Sequence, residues 1–97
     1  MTRIDLSAYA PIISDKNVGE EIYDKIKDAQ PRTNSIEISM QGVISMTTYC
    51  AKQIFGRLYN QLGAKLFEQN INFDGVSEDL MLIIKMGIRN AMAERYS

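Results

Sequence analysis

Between Ser35 and Gly63 the apolar spacing of the chain changes partway along, and that change restricts the folds open to it. From Ser35 to Met40 the pattern alternates, with Ile36, Ile38 and Met40 on one side, which is the period of a strand. Gln41-Gly42 reads as a turn, and Val43-Ile44 adds a further extended piece. From Thr47 or Thr48 onward the spacing becomes three and four. Ala51, Ile54, Phe55, Leu58 and Leu62 form one stripe, Lys52, Gln53, Arg57 and Gln61 take the opposite side, and Gly63 ends the helix. A strand thus delivers the hydroxyls of Ser45, Thr47 and Thr48 to the start of a helix.

The flanking segments extend the same alternation of strand and helix. Arg3 to Leu6 and Ala10 to Ile13 read as one or two short edge strands, with Pro11 tolerated at a strand edge or start. Ser14 or Asp15 caps a first helix whose stripe is Val18, Ile22, Ile26 and Ala29. Glu20 and Glu21 near its start and Lys25 and Lys27 near its end agree with the helix dipole, and Pro31 stops it. Leu66 and Phe67 are expected to tuck under a loop. Asn70 to Phe73 alternates like a third sheet strand before an Asp74-Gly75 turn.

Ser77 caps the last helix, with Leu80, Ile83, Ile84, Ile88 and Ala91 as its stripe to about Arg95. Met81, Leu82 and Met86 widen that stripe, so this helix either packs between the sheet and another helix or has a second face covered by a partner. Gly56 reads as the place where a helix approaches the sheet. Strands alternating with helices imply parallel strands and right-handed crossovers. The expectation is one α/β domain over residues 1–97. It has a small, mostly parallel or mixed sheet of about four strands packed with three helices in two or three layers. Ligands or modifications gather at strand carboxyl ends in such folds.

Composition removes several classes of function. The 97 residues suffice for one core. With 11 basic and 12 acidic residues and a pI near 5.3, no global charge favours nucleic acid. The chain lacks histidine and has one cysteine, Cys50, so an intramolecular disulfide, the usual metal sites and histidine-dependent triads are excluded. Gly19, Gly42, Gly56 and Gly63 form no Walker or dinucleotide fingerprint, so no cofactor is expected. The longest apolar run, Leu80 to Ile84, is far short of a membrane span, and the N-terminus has no signal-peptide core, which predicts a cytoplasmic protein without membrane contact.

The run Ile36-Glu37-Ile38-Ser39-Met40-Gln41-Gly42-Val43-Ile44-Ser45-Met46-Thr47-Thr48-Tyr49-Cys50-Ala51 resembles the STAS fold, and more closely the small bacterial STAS-like domains of unknown function. STAS domains include the anti-sigma factor antagonists and the cytoplasmic tails of sulphate transporters. Ser39 stands where the antagonists carry a strand aspartate, and Gln41-Gly42-Val43 matches their small-Gly-Val segment. Met46-Thr47-Thr48-Tyr49 takes the place of their Asp-Ser-Ser-Gly, so Thr47 falls at the phosphorylated serine. Thr48-Tyr49-Cys50-Ala51 keeps the ends of the Thr-Ser-Phe-Ala pattern of STAS-like domains. Gly19, Phe55-Gly56, Leu62-Gly63 and Asn70 to Ile84 continue the resemblance over nearly the whole chain.

What the resemblance implies is a non-catalytic regulatory module that binds a protein, either a kinase-like ATPase or an anti-sigma factor, and is switched by phosphate on Thr47 or Thr48. Ser45, Tyr49, Lys52, Met81 and Met86 are the expected partner contacts. The plainer reading of Thr47 or Thr48 is a helix cap. The alternative role is a self-associating scaffold, a homo-oligomer held by Met81, Leu82, Met86 and Met92 with Tyr96 near the helix end. Catalysis would fall to Cys50, or to Asp15 and Asp74, but no base accompanies the thiol and a free cysteine is more often a core residue. Asp15 to Asn17 reads as a solvated helix start, and Lys52 and Arg57 as outward-facing charges.

Overall fold

The computed structural model describes residues 1–96, with the side chain of Tyr96 outside the described set. Strand β1 (Thr2–Asp5) is followed by a 3-10 turn at Ser7–Tyr9 and the short strand β2 (Ile12–Ile13). Helix α1 covers Lys16–Asp28, strand β3 Ile36–Ser39 and strand β4 Ser45–Met46. Helix α2 runs without a break through Thr48–Ala51, a π-helical segment Lys52–Gly56, and Arg57–Leu62. Helix α3 (Ala64–Asn70), strand β5 (Ile71–Asp74) and helix α4 (Glu78–Tyr96) complete the chain.

Every strand pairing is parallel. The main sheet has the order β1-β3-β5, and β2 pairs with β4 as a separate two-stranded ladder. The two ladders join the same two stretches of chain, slipped by one residue between them. The 3-10 turn after β1 and the Gln41-Gly42 turn after β3 break the sheet at the same level, and Gly42 takes the positive φ of 83° that this turn requires. Among the described residues the expected single sheet of about four strands is therefore five short strands in two sheets, and the expected three helices are four.

The main sheet has one apolar and one polar face, because its register sets like beside like. Ile4, Ile38 and Phe73 line up across it, as do Ile36 and Ile71, whereas Arg3, Glu37 and Asn72 share the other face. Arg3 bonds to Glu37 and, at 3.2 Å, to Asp74 on that polar side. The apolar face packs on the helices around fully buried Ile36, Ile38, Ile54, Phe55, Leu80 and Ile84. Each such side chain contributes roughly 1.5–3 kcal/mol. Phe55 and Phe73 meet edge to face at 5.2 Å.

Several local expectations hold. Asp15 caps α1 by accepting from the amides of Asn17 and Val18, Ser77 accepts from the Leu80 amide, and Gln30 turns the chain with φ 59° before Pro31. Two do not. Leu66 and Phe67 lie in helix α3, not under a loop: Gly63, at φ 82°, ends α2 and restarts a helix at Ala64, and Phe67 reaches Tyr59 at 5.2 Å. Gly56 admits a helix rather than the sheet. A Cβ there would lie 2.7 Å from the Ala91 Cβ and 2.8 Å from the Gly87 carbonyl oxygen of α4.

The π-helical segment explains how that contact arises. The amide of Arg57 donates to the carbonyl of Lys52, five residues back. In an α-helix the positions after Ala51 on its own face are three or four residues on, which would present Ile54 and Phe55 to α4. The extra residue in the turn brings Gly56 to α4 as well. Ala51 and Gly56, five apart on α2, thus meet Gly87 and Ala91, four apart on α4. A Cβ on Gly87 would come within 2.6 Å of the Ala51 backbone. Bulky side chains are absent on both surfaces, so the backbones approach and α4 closes over the sheet's helical layer.

Candidate functional site at the start of helix α2

The junction between β4 and α2 is fixed from both sides. The Ile44 amide donates to the Pro11 carbonyl at 2.8 Å, and the Thr47 amide to the Ile13 carbonyl at 3.0 Å, which ties the junction to β2. Thr47 is the N-cap, in extended conformation, and its Oγ1 accepts from the Cys50 amide at 3.1 Å. The residue is nonetheless exposed, while Thr48, the first helical residue, is half-buried. The capping reading of Thr47 is thus met, by a residue that is exposed as a whole.

Around this cap lies an apolar surface that the sequence did not announce. Ile44 is 70% exposed, Ile12 58% and Tyr49 50%. Ile12 is the register partner of Ser45, Ile44 directly precedes β4, and Tyr49 lies in the first turn of α2. A two-residue strand carries too little pattern for its outward side to be read from sequence, though an isoleucine directly after a proline was the available signal.

Lys52 closes the site on the α4 side. Its Nζ bonds Glu94 Oε1 at 2.6 Å and sits 5.9 Å from the centroid of the Tyr49 ring, so it is not the free outward charge expected of it. Arg57 also departs from expectation. Its guanidinium stacks 3.4 Å over the Tyr23 ring and bonds Glu20 Oε2 at 2.9 Å, joining α2 to α1. Gln53 adds bonds to the Lys16 carbonyl and to Glu20. Glu20 is held below the ordinary carboxylate range first by the Arg57 bond and then by Gln53. A groove of about 500 Å³ runs along this outer side of α2 between Tyr49 and Arg95.

The other expected contacts are dispersed. Met81 is half-buried against the core and borders a small cavity with Tyr59, Phe67 and Phe73, whereas Met86 is 49% exposed and Leu82 59%. On a helix of 3.6 residues per turn Met81 and Met86 lie about 140° apart, so they do not share one surface. Met92 is exposed at the α4 end, and the Tyr96 side chain lies outside the described residues.

Cys50, Asp15 and Asp74 do not form a catalytic arrangement: Cys50 meets only the backbone of Asp15, and Asp74 bonds to Arg3. Cys50 is fully buried, with its thiol donating to the Asp15 carbonyl at 3.6 Å. Asp15 caps α1, and Asp74 accepts from Arg3 on the sheet's polar face. The Asp15 to Asn17 segment does lie beside the α2 start, through Cys50 and Gln53. Among the described residues no cluster of three or more metal-ligating side chains occurs, and no helix is long and apolar enough to cross a membrane.

Parallel strands feeding helices, with a capped and exposed threonine where the second strand pair enters its helix, make this an α/β domain. The model of the family described as STAS-like domain of unknown function (DUF4325) matches residues 18–81, and the chain belongs to that family. No curated protein and no solved structure matched the chain.

Proposed function

We propose that this STAS-like domain is a non-catalytic regulatory module that docks a protein partner through the surface around the α2 start and is switched there by phosphate on Thr47. The observation that carries the reading is Thr47 itself: an exposed threonine at a helix N-cap, in company with the exposed apolar side chains of Ile12, Ile44 and Tyr49. A phosphoryl group on Oγ1 is stabilised by the unpaired amides of the first helical turn. It also sets close to two negative charges among side chains that would otherwise be buried in a contact, which opposes docking. Thr48, inside the helix and half-buried, is the poorer acceptor.

The partner this chemistry suits is a kinase-like ATPase or an anti-sigma factor, by analogy with the antagonists that STAS domains include. Ser45, Tyr49 and Lys52 border the proposed contact. The test is site-resolved phosphate mapping on protein isolated from its native cell, paired with affinity capture at endogenous expression. Phosphate on Thr47, lost in Thr47→Ala and kept in Thr48→Ala, supports the switch. Both threonines unmodified under every growth condition would sink it.

A second reading rests on α4, where Leu82 and Met86, one turn apart, are exposed apolar side chains on the outer face of the helix. Self-association through them makes the domain a scaffold without a switch. Light scattering at high protein concentration decides it, since a strict monomer removes this reading.

A further inference from the structure

At the far end of α2 from the threonine cap, a cleft of about 320 Å³ opens between the α1–β3 connection and the last turns of α2. Pro31, Leu58 and Leu62, all buried, make its apolar floor, and Lys27, Arg32 and Gln61 stand at its walls. Its size is at the lower end of the range for small-molecule sites, which combine an apolar body with a few placed polar groups. The lining includes no carboxylate.

Neither cation is neutralised. Lys27 lies 5.8 Å from the centroid of the Tyr23 ring and has no ion pair among the described residues, and Arg32 gives one N–H to the Gln61 carbonyl at 2.7 Å and keeps its other donors. The negative helix ends nearby are already answered. Asn34 donates to the Ala29 carbonyl, the Thr33 and Asn34 amides to that of Gln30, and Arg32 to that of Gln61. Two positive charges over a buried apolar floor are therefore left facing the same space. We infer that this cleft is a binding site for a small carboxylate with an apolar body, its hydrocarbon part on Pro31, Leu58 and Leu62 and its carboxylate between Lys27 and Arg32.

The inference stands apart from the docking surface, since Thr47 and Leu58 lie about 16 Å apart along the helix at 1.5 Å per residue and none of the residues placed at that surface lines the cleft. The test is a nitrogen-15 amide titration of the whole chain with 4-phenylbutyrate, and in parallel with its neutral amide. Saturable shifts centred on Arg32, Leu58 and Leu62 are expected, with the acid binding about tenfold more tightly than the amide. Lys27→Gln, whose side chain makes no hydrogen bond the fold uses, should remove most of that preference and leave binding of the amide unchanged. Equal affinity for acid and amide, shifts centred elsewhere, or no saturation overturns the assignment. Preservation of the full preference in Lys27→Gln and in Arg32→Gln, both with a native-like spectrum, also overturns it.

Discussion

The two halves of helix α2 solve opposite problems within a few residues of each other. Its entry keeps the exposed Thr47 and Tyr49 on the surface, next in the chain to the exposed Ile44 and tied by backbone bonds to β2, with a side-chain cap on the helix. Its middle does the reverse: the π-helical turn aligns Ala51 and Gly56 with Gly87 and Ala91 so closely that a single added methyl would strike backbone. The exposed side chains at this entry add little to the core. The middle fixes the position of α4 and is open to nothing. Stability and the proposed function are therefore separable along one helix.

Gly87 gives the sharpest break of that contrast. A Cβ at this position would lie 2.6 Å from both the carbonyl carbon and the Cβ of Ala51, atoms that cannot move without shifting α2. Gly87→Ala should destabilise the fold by about 3 kcal/mol, at the upper end for overpacking, despite the higher helix propensity of alanine. Urea unfolding measures it. Gly56→Ala should fall in the same range, because Ala91 and the Gly87 carbonyl oppose its Cβ. A neutral or stabilised Gly87→Ala protein would mean the helices are not closely packed here.

Thr47→Ala comes next, with an expected loss of about 1 kcal/mol for the missing cap, against less than about 0.5 kcal/mol for Thr48→Ala, which removes no observed bond. Thr47→Asp should restore most of the loss, since aspartate caps well. Equal effects at the two threonines would place the helix start one residue away from Thr47.

A smaller effect belongs to Glu20, which joins α1 to the π-helical segment through Arg57 and Gln53. Its carboxyl titrates below its ordinary value of 4.5 in the folded chain. A group whose pKa is depressed by folding adds stability above its unfolded value, and that part is lost as pH falls through the folded value. Wild type and Glu20→Gln should thus differ at neutral pH and converge as the solution is acidified through the depressed folded value. The pair is exposed to solvent and salt, so the difference is small and shrinks as ionic strength rises.

How much of this was legible in the sequence depended on the range of the cause. The β3 alternation, the α2 stripe, the Asp15 and Ser77 caps and the family resemblance are patterns of neighbouring residues, and each appears where it was expected. Helix α3 was missed because Gly63 signals a helix end equally well whether a loop or a new helix follows. The π-helical turn was missed because Gly56 meets partners 31 and 35 residues away, and no local period encodes that contact. The exposure of Ile12 and Ile44 depends on where a two-residue ladder sits relative to the sheet, which short strands do not reveal. The separation of Met81 from Met86 follows from helical period alone, and the stripe's widening beyond one face is visible in the sequence, whereas which of its residues meets the core is not.

The smallest expected change in stability is also the one that bears most on function. Ile44→Ser and Tyr49→Ser remove large side chains that are 70% and 50% exposed, from positions where the backbone, not the side chain, makes the fixing bonds. Each should leave unfolding within about 0.5 kcal/mol of wild type. If the α2 start is the docking surface, the same changes should reduce partner capture several-fold, because truncating an exposed aromatic or large aliphatic side chain removes interface area without leaving a hole in the core. Thr47→Ala offers the counterpart, with a loss of cap but no loss of apolar surface. Capture that falls with Ile44→Ser and Tyr49→Ser but not with Thr47→Ala would divide the first turn into a contact surface and a switch. Capture that follows Gly87→Ala instead would move the docking surface to the α2–α4 side and end the separation drawn between the two halves of the helix.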